Sequence, residues 1–313
     1  MSYEPDIDVS PSDRASRTIL VTGATGNQGG AVMRHLLSNG WRVRAMTRSV
    51  KRAKDMGLNV RDVEWVQADY MDPATLDRAL RGVYGAFCIT TPAEDGPAAE
   101  TAQGVNMAGA ADRAGVEHFV YSSIASADEG TGIPEFDSKY AVETFLRGLS
   151  IPITVVRPVL FMDGLCTSDM HREILEGHLR YGLPPDKKVQ MISLDDFGRS
   201  VAKVFRQPSK YVGITLDLAG DELTMPQVAE VLGTVMDCRV TYRPISAADI
   251  KMMDPRRGIM MEWMGARGHH VDLERVRAFN PGLTDFHHWA QRVTWNAEEC
   301  YPLPPELDDP SVR

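Results

Sequence analysis

The sequence predicts an α/β protein built on an open parallel sheet with helices on both faces. Three observations predict it. Short β-branched and apolar runs alternate with helical stretches from Thr18 onward. A glycine-rich turn joins the first of these strands to the first helix. The composition, 43% hydrophobic and 25% charged over 313 residues, suits a soluble chain long enough for one large domain or two smaller ones.

The first strand is Thr18-Ile19-Leu20-Val21, and Ala31, Val32, Leu36 and Leu37 recur at helical spacing up to Asn39-Gly40. Between them lies Thr22-Gly23-Ala24-Thr25-Gly26-Asn27-Gln28-Gly29-Gly30. A strand, a glycine turn and a helix in that order make a dinucleotide-binding turn. Gly23 permits the tight turn, Gly26 lets backbone approach a pyrophosphate, and Gly29 lets the helix pack closely. The N–H groups that open the helix then face the phosphates, with Thr25, Asn27 and Gln28 beside them.

The second strand runs from Trp41 to Met46 and ends at Thr47-Arg48-Ser49. An NAD-selective site places an acid there for the ribose 2′-hydroxyl. Here stands Arg48, followed by Lys51 and Arg52, a set that suits a 2′-phosphate and favours NADP(H) over NAD(H). A solvated basic helix start is the other reading of the same residues. Arg42 and Arg44 are expected to face outward or pair with acids.

Val63 to Ala68 is the third strand. Asp69 is placed to accept from an adenine amino group with Tyr70 near the ring, or else Asp69 caps the helix starting near Pro73. Gly85 to Ile89 is the fourth strand, and Thr90 and Thr91 follow at the sheet edge where ligands of such folds sit. A helix spans Thr101 to Ala114. The fifth strand is His118 to Ser123, and Ile153 to Arg157 is the sixth. The alternation makes this a Rossmann-type, doubly wound sheet.

Ser122 lies where short-chain dehydrogenases place a serine, and those enzymes follow it with Tyr-x-x-x-Lys. The matching segment here is Glu135-Phe136-Asp137-Ser138-Lys139, with lysine present and Glu135 in the tyrosine's place. Tyr140 is turned away from Lys139 by about 100° on a helix.

The glycine turn, Phe136-Asp137-Ser138-Lys139, Arg157-Pro158-Val159-Leu160-Phe161-Met162, Asp195-Asp196-Phe197-Gly198 and Leu218-Ala219-Gly220-Asp221-Glu222-Leu223-Thr224 together resemble the NmrA-like family, atypical relatives of the short-chain dehydrogenases. The similarity runs from about Thr18 to Trp295. It implies an NADP(H)-binding fold with the glycines, Arg48 and Lys139 on the cofactor. It also implies either a reductase or a redox-sensing regulator that acts on a partner protein. Many family members carry His before the Phe-Asp-x-Lys run and Asn after Phe-Met-Glu, whereas this chain has Glu135 and Asp163-Gly164.

In a reductase, Lys139 holds the nicotinamide ribose or donates a proton through it, Glu135 relays a proton or is a helix-start acid, and Ser122 contacts backbone or cofactor. Pro158 and Phe161 run over the nicotinamide end. Residues 1–17 read as a flexible lead-in and 18–164 as the nucleotide-binding domain, with 190–220 able to complete its sheet. Residues 165–300 form a smaller mixed α/β lobe for substrate or partner, interleaved with the first domain, and 301–313 a disordered tail.

In that lobe Asp195 or Asp196 should cap a helix carrying Phe197, Val201, Val204 and Phe205 on one face. Ile214 to Leu218 reads as a strand, Thr224 to Met236 as a capped helix and Arg239 to Tyr242 as a short strand. Met252, Met253, Met260, Met261, Trp263 and Met264 suit a core or an adaptable apolar surface. His269-His270 and His287-His288 lack metal-ligand spacing, so no metal is expected. A net charge of -9 argues against direct nucleic-acid binding. Four scattered cysteines and the lack of a long apolar run fit a cytoplasmic protein outside the membrane. The oligomeric state stays open.

Overall fold

The computed structural model describes residues 8–55, 63–92 and 96–296. The expected disordered tail, 301–313, lies outside them, as do residues 1–7 of the lead-in and Cys300. In chain order the elements begin with α1 (Pro11–Ser16), β1 (Thr18–Val21), α2 (Asn27–Ser38), β2 (Arg42–Thr47), α3 (Val50–Asp55) and β3 (Val63–Gln67). Next come α4 (Pro73–Ala79), β4 (Gly85–Ile89), α5 (Gly96–Ala114), β5 (His118–Ser122), α6 (Pro134–Leu146) and β6 (Ile153–Pro158). Then follow β7 (Leu160–Phe161), α7 (Ser168–Leu175), β8 (His178–Tyr181), β9 (Lys188–Ile192), α8 (Leu194–Arg206), α9 (Pro208–Tyr211) and β10 (Thr215–Leu218). The chain continues with β11 (Asp221–Thr224), α10 (Met225–Met236), β12 (Thr241–Pro244), α11 (Ala247–Met253), α12 (Pro255–Ala266), α13 (Leu273–Phe279) and α14 (Phe286–Arg292).

It divides into two compact units, Met1–Pro158 with Leu194–Leu218, and Val159–Ser193 with Ala219–Arg313. In the first unit seven strands form one parallel sheet in the order β3-β2-β1-β4-β5-β6-β10. This is the Rossmann-type order, reversing direction between β1 and β4, and that reversal opens a crevice at the strands' carboxyl ends. Ile19, Leu20, Ala86, Phe87, Phe119 and Val120 are fully buried, as strands covered on both faces require.

Two local readings change. Within the stretch read as a flexible lead-in, Pro11–Ser16 form a helix whose cap is Ser10, its hydroxyl accepting the Asp13 N–H. Val9 is buried and its N–H donates to the Arg206 carbonyl. Neither Asp195 nor Asp196 is an N-cap, because α8 already begins at Leu194 and both sit in its first turn. Asp195 accepts from His35 Nε2 of α2 at 2.7 Å, which holds its carboxyl below the ordinary value although burial works the other way. The apolar face of α8 is as expected, with Phe197, Val201, Val204 and Phe205 buried.

The second unit has two small sheets, β11-β9-β7 and β12-β8. Helix α10 starts with a reciprocal capping box: the Thr224 hydroxyl accepts the Gln227 N–H and the Gln227 side chain accepts the Thr224 N–H. The expected strand 239–242 is shifted to Thr241–Pro244, paired in parallel with β8. The methionine-rich segment divides. Met261, Trp263 and Met264 are buried in α12, whereas Met252 and Met253 are 78% and 75% exposed on α11. No helix of the described residues is long and apolar enough to cross a membrane. Among them no group of three or more His, Cys, Asp or Glu is placed to hold a metal ion.

A candidate dinucleotide site at the carboxyl ends of the sheet

A cavity of about 980 Å³ opens in the first unit where the strand order reverses. Its lining comes from the turns that follow β1, β2, β3 and β4: Gly23 and Thr25 to Gly29; Met46 to Ser49 with Arg52 and Ala53; Ala68 to Met71; and Ile89 to Thr91, with Gln103 of α5. The turn after β1 is fixed by Thr22, which is fully buried. Its hydroxyl accepts the Ile89 N–H at 2.9 Å and its own N–H donates to the Phe87 carbonyl, so β1 and β4 are pinned at the crevice.

Gly23 adopts φ +59, a left-handed conformation that costs glycine nothing. A Cβ on Gly29 would lie 2.2 Å from the Gly23 carbonyl oxygen, so only hydrogen fits where α2 meets its own turn. Helix α2 is capped by Gly26 with no side-chain hydrogen bond, and its first turn holds no acid. Its opening N–H groups are therefore left to a ligand, and a helix N-terminus of this kind attracts a pyrophosphate. The residues present fit a dinucleotide.

Arg48, exposed just after β2, and Arg52 of α3 line the same cavity. Lys51 is not among the lining residues. Asp69 is exposed after β3, and its carboxylate accepts the Met71 N–H at 2.8 Å. The helix-capping role falls to Asp72, which accepts from Ala74, so Asp69 is not the cap of α4. Tyr70 lines the cavity while its hydroxyl donates to the Ile89 carbonyl at 2.6 Å. Burial raises its pKa well above the ordinary value, so the group is a fixed donor and not a titrating acid.

Thr90 and Thr91 line the cavity, but the Thr90 side chain is turned into a buried cluster. Lys139 Nζ lies 2.9 Å from Glu100 Oε1 and donates to the Thr90 carbonyl at 3.2 Å, the Thr90 hydroxyl at 3.4 Å and the Ser122 carbonyl at 3.4 Å. Ser122 Oγ donates to Gln28 Oε1 at 2.7 Å, joining the end of β5 to the start of α2. Glu135 is half-buried in the first turn of α6. Tyr140 packs against the Arg147 guanidinium, which lies 5.0 Å from its ring.

Of the residues singled out from sequence, Gly23, Thr25, Gly26, Asn27, Gln28, Gly29, Arg48, Asp69, Tyr70, Thr90 and Thr91 share one cavity. Ser122 and Lys139 stand behind its wall through Gln28 and Thr90. Pro158 ends β6 outside the lining set, and Phe161 belongs to the second unit. Sequence reasoning missed Thr22, Gln103 and Glu100. Nothing in a run of alanines, glycines and polar residues marks Glu100, which stands 39 positions before Lys139 (139 − 100).

Comparison with known proteins agrees with this architecture. The profile of the NmrA-like family matches residues 15–279. The NmrA-like family domain-containing oxidoreductase FrzB of Cladobotryum sp is 30% identical, over 72% of this chain and 76% of the relative. The solved structure of a triphenylmethane reductase from Citrobacter sp., complexed with NADP(H), is similar with a TM-score of 0.74 and 24% identity, covering 88% of this chain and 98% of that one. NmrA, a negative transcriptional regulator solved with NADP, gives a TM-score of 0.72 at 23% identity over 88% of this chain and 95% of its own. NmrA has also been solved with NAD.

Proposed function

Because this chain belongs to the NmrA-like family, we propose that it binds NADP(H) in the cavity and acts as an NADPH-dependent reductase of a small apolar carbonyl, quinone or related electrophile. The observation that carries the reading is that an acid-free α2 start, without a side-chain cap, shares one cavity with Arg48 and Arg52. The first supplies backbone donors for the pyrophosphate. The second supplies charge and planar donors for a 2′-phosphate. The bound cofactor would supply hydride. In this reading Asp69 accepts from the adenine amino group, and Tyr70 stays fixed beside the ring through Ile89. Ser122 orients the Gln28 amide, and Lys139 presents a cation at the edge of β4 toward the nicotinamide ribose. Glu135, four residues before Lys139, serves as an acid at the start of α6. The second unit is assigned to substrate or partner, and the scattered cysteines fit a cytoplasmic setting.

Two observations favour a second reading, a dinucleotide sensor that signals cofactor occupancy to a partner protein. The position four residues before Lys139 holds Glu135 instead of tyrosine, and the Lys139 ammonium is already engaged by Glu100. The test is to incubate the protein with NADPH and a panel of quinones, aldehydes and ketones while following nicotinamide absorbance. Oxidation that requires both protein and acceptor is the expected result. Saturable NADPH binding with no oxidation across the panel would replace the reductase with the sensor.

A further inference from the structure

Helices α5 and α6 pack closely because Gly104 faces Val142; a Cβ on Gly104 would lie 2.5 Å from Val142 Cγ2. That close approach brings together the residues one turn earlier on each helix. Glu100 of α5 meets Ser138 and Lys139 of α6. Glu100 is fully buried, and both of its oxygens are engaged. Oε1 takes the Lys139 ammonium at 2.9 Å and the Thr90 hydroxyl at 3.2 Å, while Oε2 accepts the Ser138 hydroxyl at 2.5 Å. Thr90 also approaches the Tyr121 hydroxyl at 3.3 Å, and the Tyr121 ring lies 5.7 Å from Lys139 Nζ. The ammonium also reaches the Thr90 hydroxyl and the Thr90 and Ser122 carbonyls, at the carboxyl ends of β4 and β5. A flexible four-carbon stem is thus held at one point of the sheet edge, and the atom that fixes it comes from α5, outside the expected catalytic set.

We propose that Glu100 is the positioning residue of the site: it anchors the Lys139 ammonium beside Thr90, so that Lys139 acts on the dinucleotide as a fixed cation. Ser138 and Thr90 hold the carboxylate in turn. A cation held in advance costs a ligand less than one that must be ordered on binding. The inference rests on the reading that Lys139 faces the nicotinamide ribose of bound NADP(H).

The test is a double-mutant cycle on NADPH affinity, measured by fluorescence titration of the full chain without any acceptor. The variants are Glu100→Gln, Lys139→Met and the pair together. If Glu100 acts through Lys139, each single variant raises the NADPH Kd by about tenfold, and the pair raises it by about tenfold also instead of a hundredfold. Ser138→Ala, which leaves both charges in place, raises it by about threefold. A merely structural carboxylate would give additive losses, and additivity would overturn the proposal. So would a Glu100→Gln protein that binds NADPH like the wild type. Circular dichroism of each variant establishes that it is folded. Should Glu100→Gln fail that control, Ser138→Ala combined with Lys139→Met gives the same cycle, and additivity there overturns the proposal equally. A wild-type protein that binds no NADPH would overturn the cofactor reading itself, a result distinct from normal binding with an additive cycle.

Discussion

The glycine turn after β1 and the cluster around Lys139 lie at the carboxyl ends of one sheet, yet they are built from opposite materials. The turn is backbone: Gly23 in a left-handed conformation, Gly29 against the Gly23 carbonyl, and the opening N–H groups of α2. The cluster is side chain: Thr90, Glu100, Ser138 and Lys139, drawn from three separate segments with Glu100 wholly buried. Backbone recognition needs absent side chains in a short run of sequence. Side-chain recognition needs a particular partner delivered by tertiary packing. The first leaves no room for a side chain at Gly29, whereas the second depends on which side chains packing brings together.

The largest effect should follow from putting a side chain where the backbone needs none. Gly29→Ala places a Cβ at 2.2 Å from the Gly23 oxygen. It should lower stability by about 3 kcal/mol or more and abolish NADPH binding, as thermal unfolding with and without NADPH would read. A variant of wild-type stability and affinity would show that the turn has room, and the contrast between the two regions would fail.

The next effect concerns the strand that carries Ser122. His118, at the start of β5, is fully buried. Its Nε2 meets Thr154 Oγ1 at 2.8 Å, and that hydroxyl donates to the Tyr211 carbonyl, so Nε2 carries the proton of a neutral ring. Burial pushes its pKa down to about 4 from the usual 6.5. The unfolded chain therefore binds the extra proton first, and stability falls as pH drops from about 6.5 toward 4, by about 3 kcal/mol if the shift is fully expressed. Buried His269 of the second unit shifts to about 4 for the same reason, with His270 adding to it. Denaturant unfolding at pH 7 and pH 5 should show the loss, and His118→Asn should remove roughly half of the slope the two histidines share. An unchanged slope would remove His118 from this account.

Arg48→Glu sharpens the comparison further, because here a side chain serves the phosphate end. It should weaken NADPH by about 10- to 100-fold and NADH by less than about threefold. Equal loss of both would remove the 2′-phosphate assignment. The smallest effect is expected at Glu135, which lies in the first turn of α6. Glu135→Gln should leave NADPH affinity within about twofold and lower kcat by less than about threefold, as befits an acid at a helix start. A larger fall in kcat with altered pH dependence would make Glu135 the proton relay.

The same contrast explains what sequence could reveal. The strands of the large sheet are legible because two-sided burial writes continuous apolar runs such as Ile19-Leu20-Val21 and Phe119-Val120-Tyr121. The glycine turn is legible because its constraint is local. Strands β7, β8, β9 and β11 are not: they are two to five residues long, and β8, β9 and β11 mix their apolar positions with Arg180, Gln190 and Glu222. Helix α1 is masked by an acidic, polar neighbourhood, although Ser10-Pro11 is a usable start signal. Glu100 is invisible for a different reason. Its meaning comes from Gly104 letting α5 approach Val142, a relation between two helices that no local pattern records.

The most direct test of the central claim is a calorimetric titration of the wild-type protein with NADPH and, separately, with NADH. The account predicts one site per chain with NADPH binding at least about tenfold more tightly, the margin that charge-assisted bonds from Arg48 and Arg52 to a 2′-phosphate would provide. Equal affinities, or tighter binding of NADH, would contradict it.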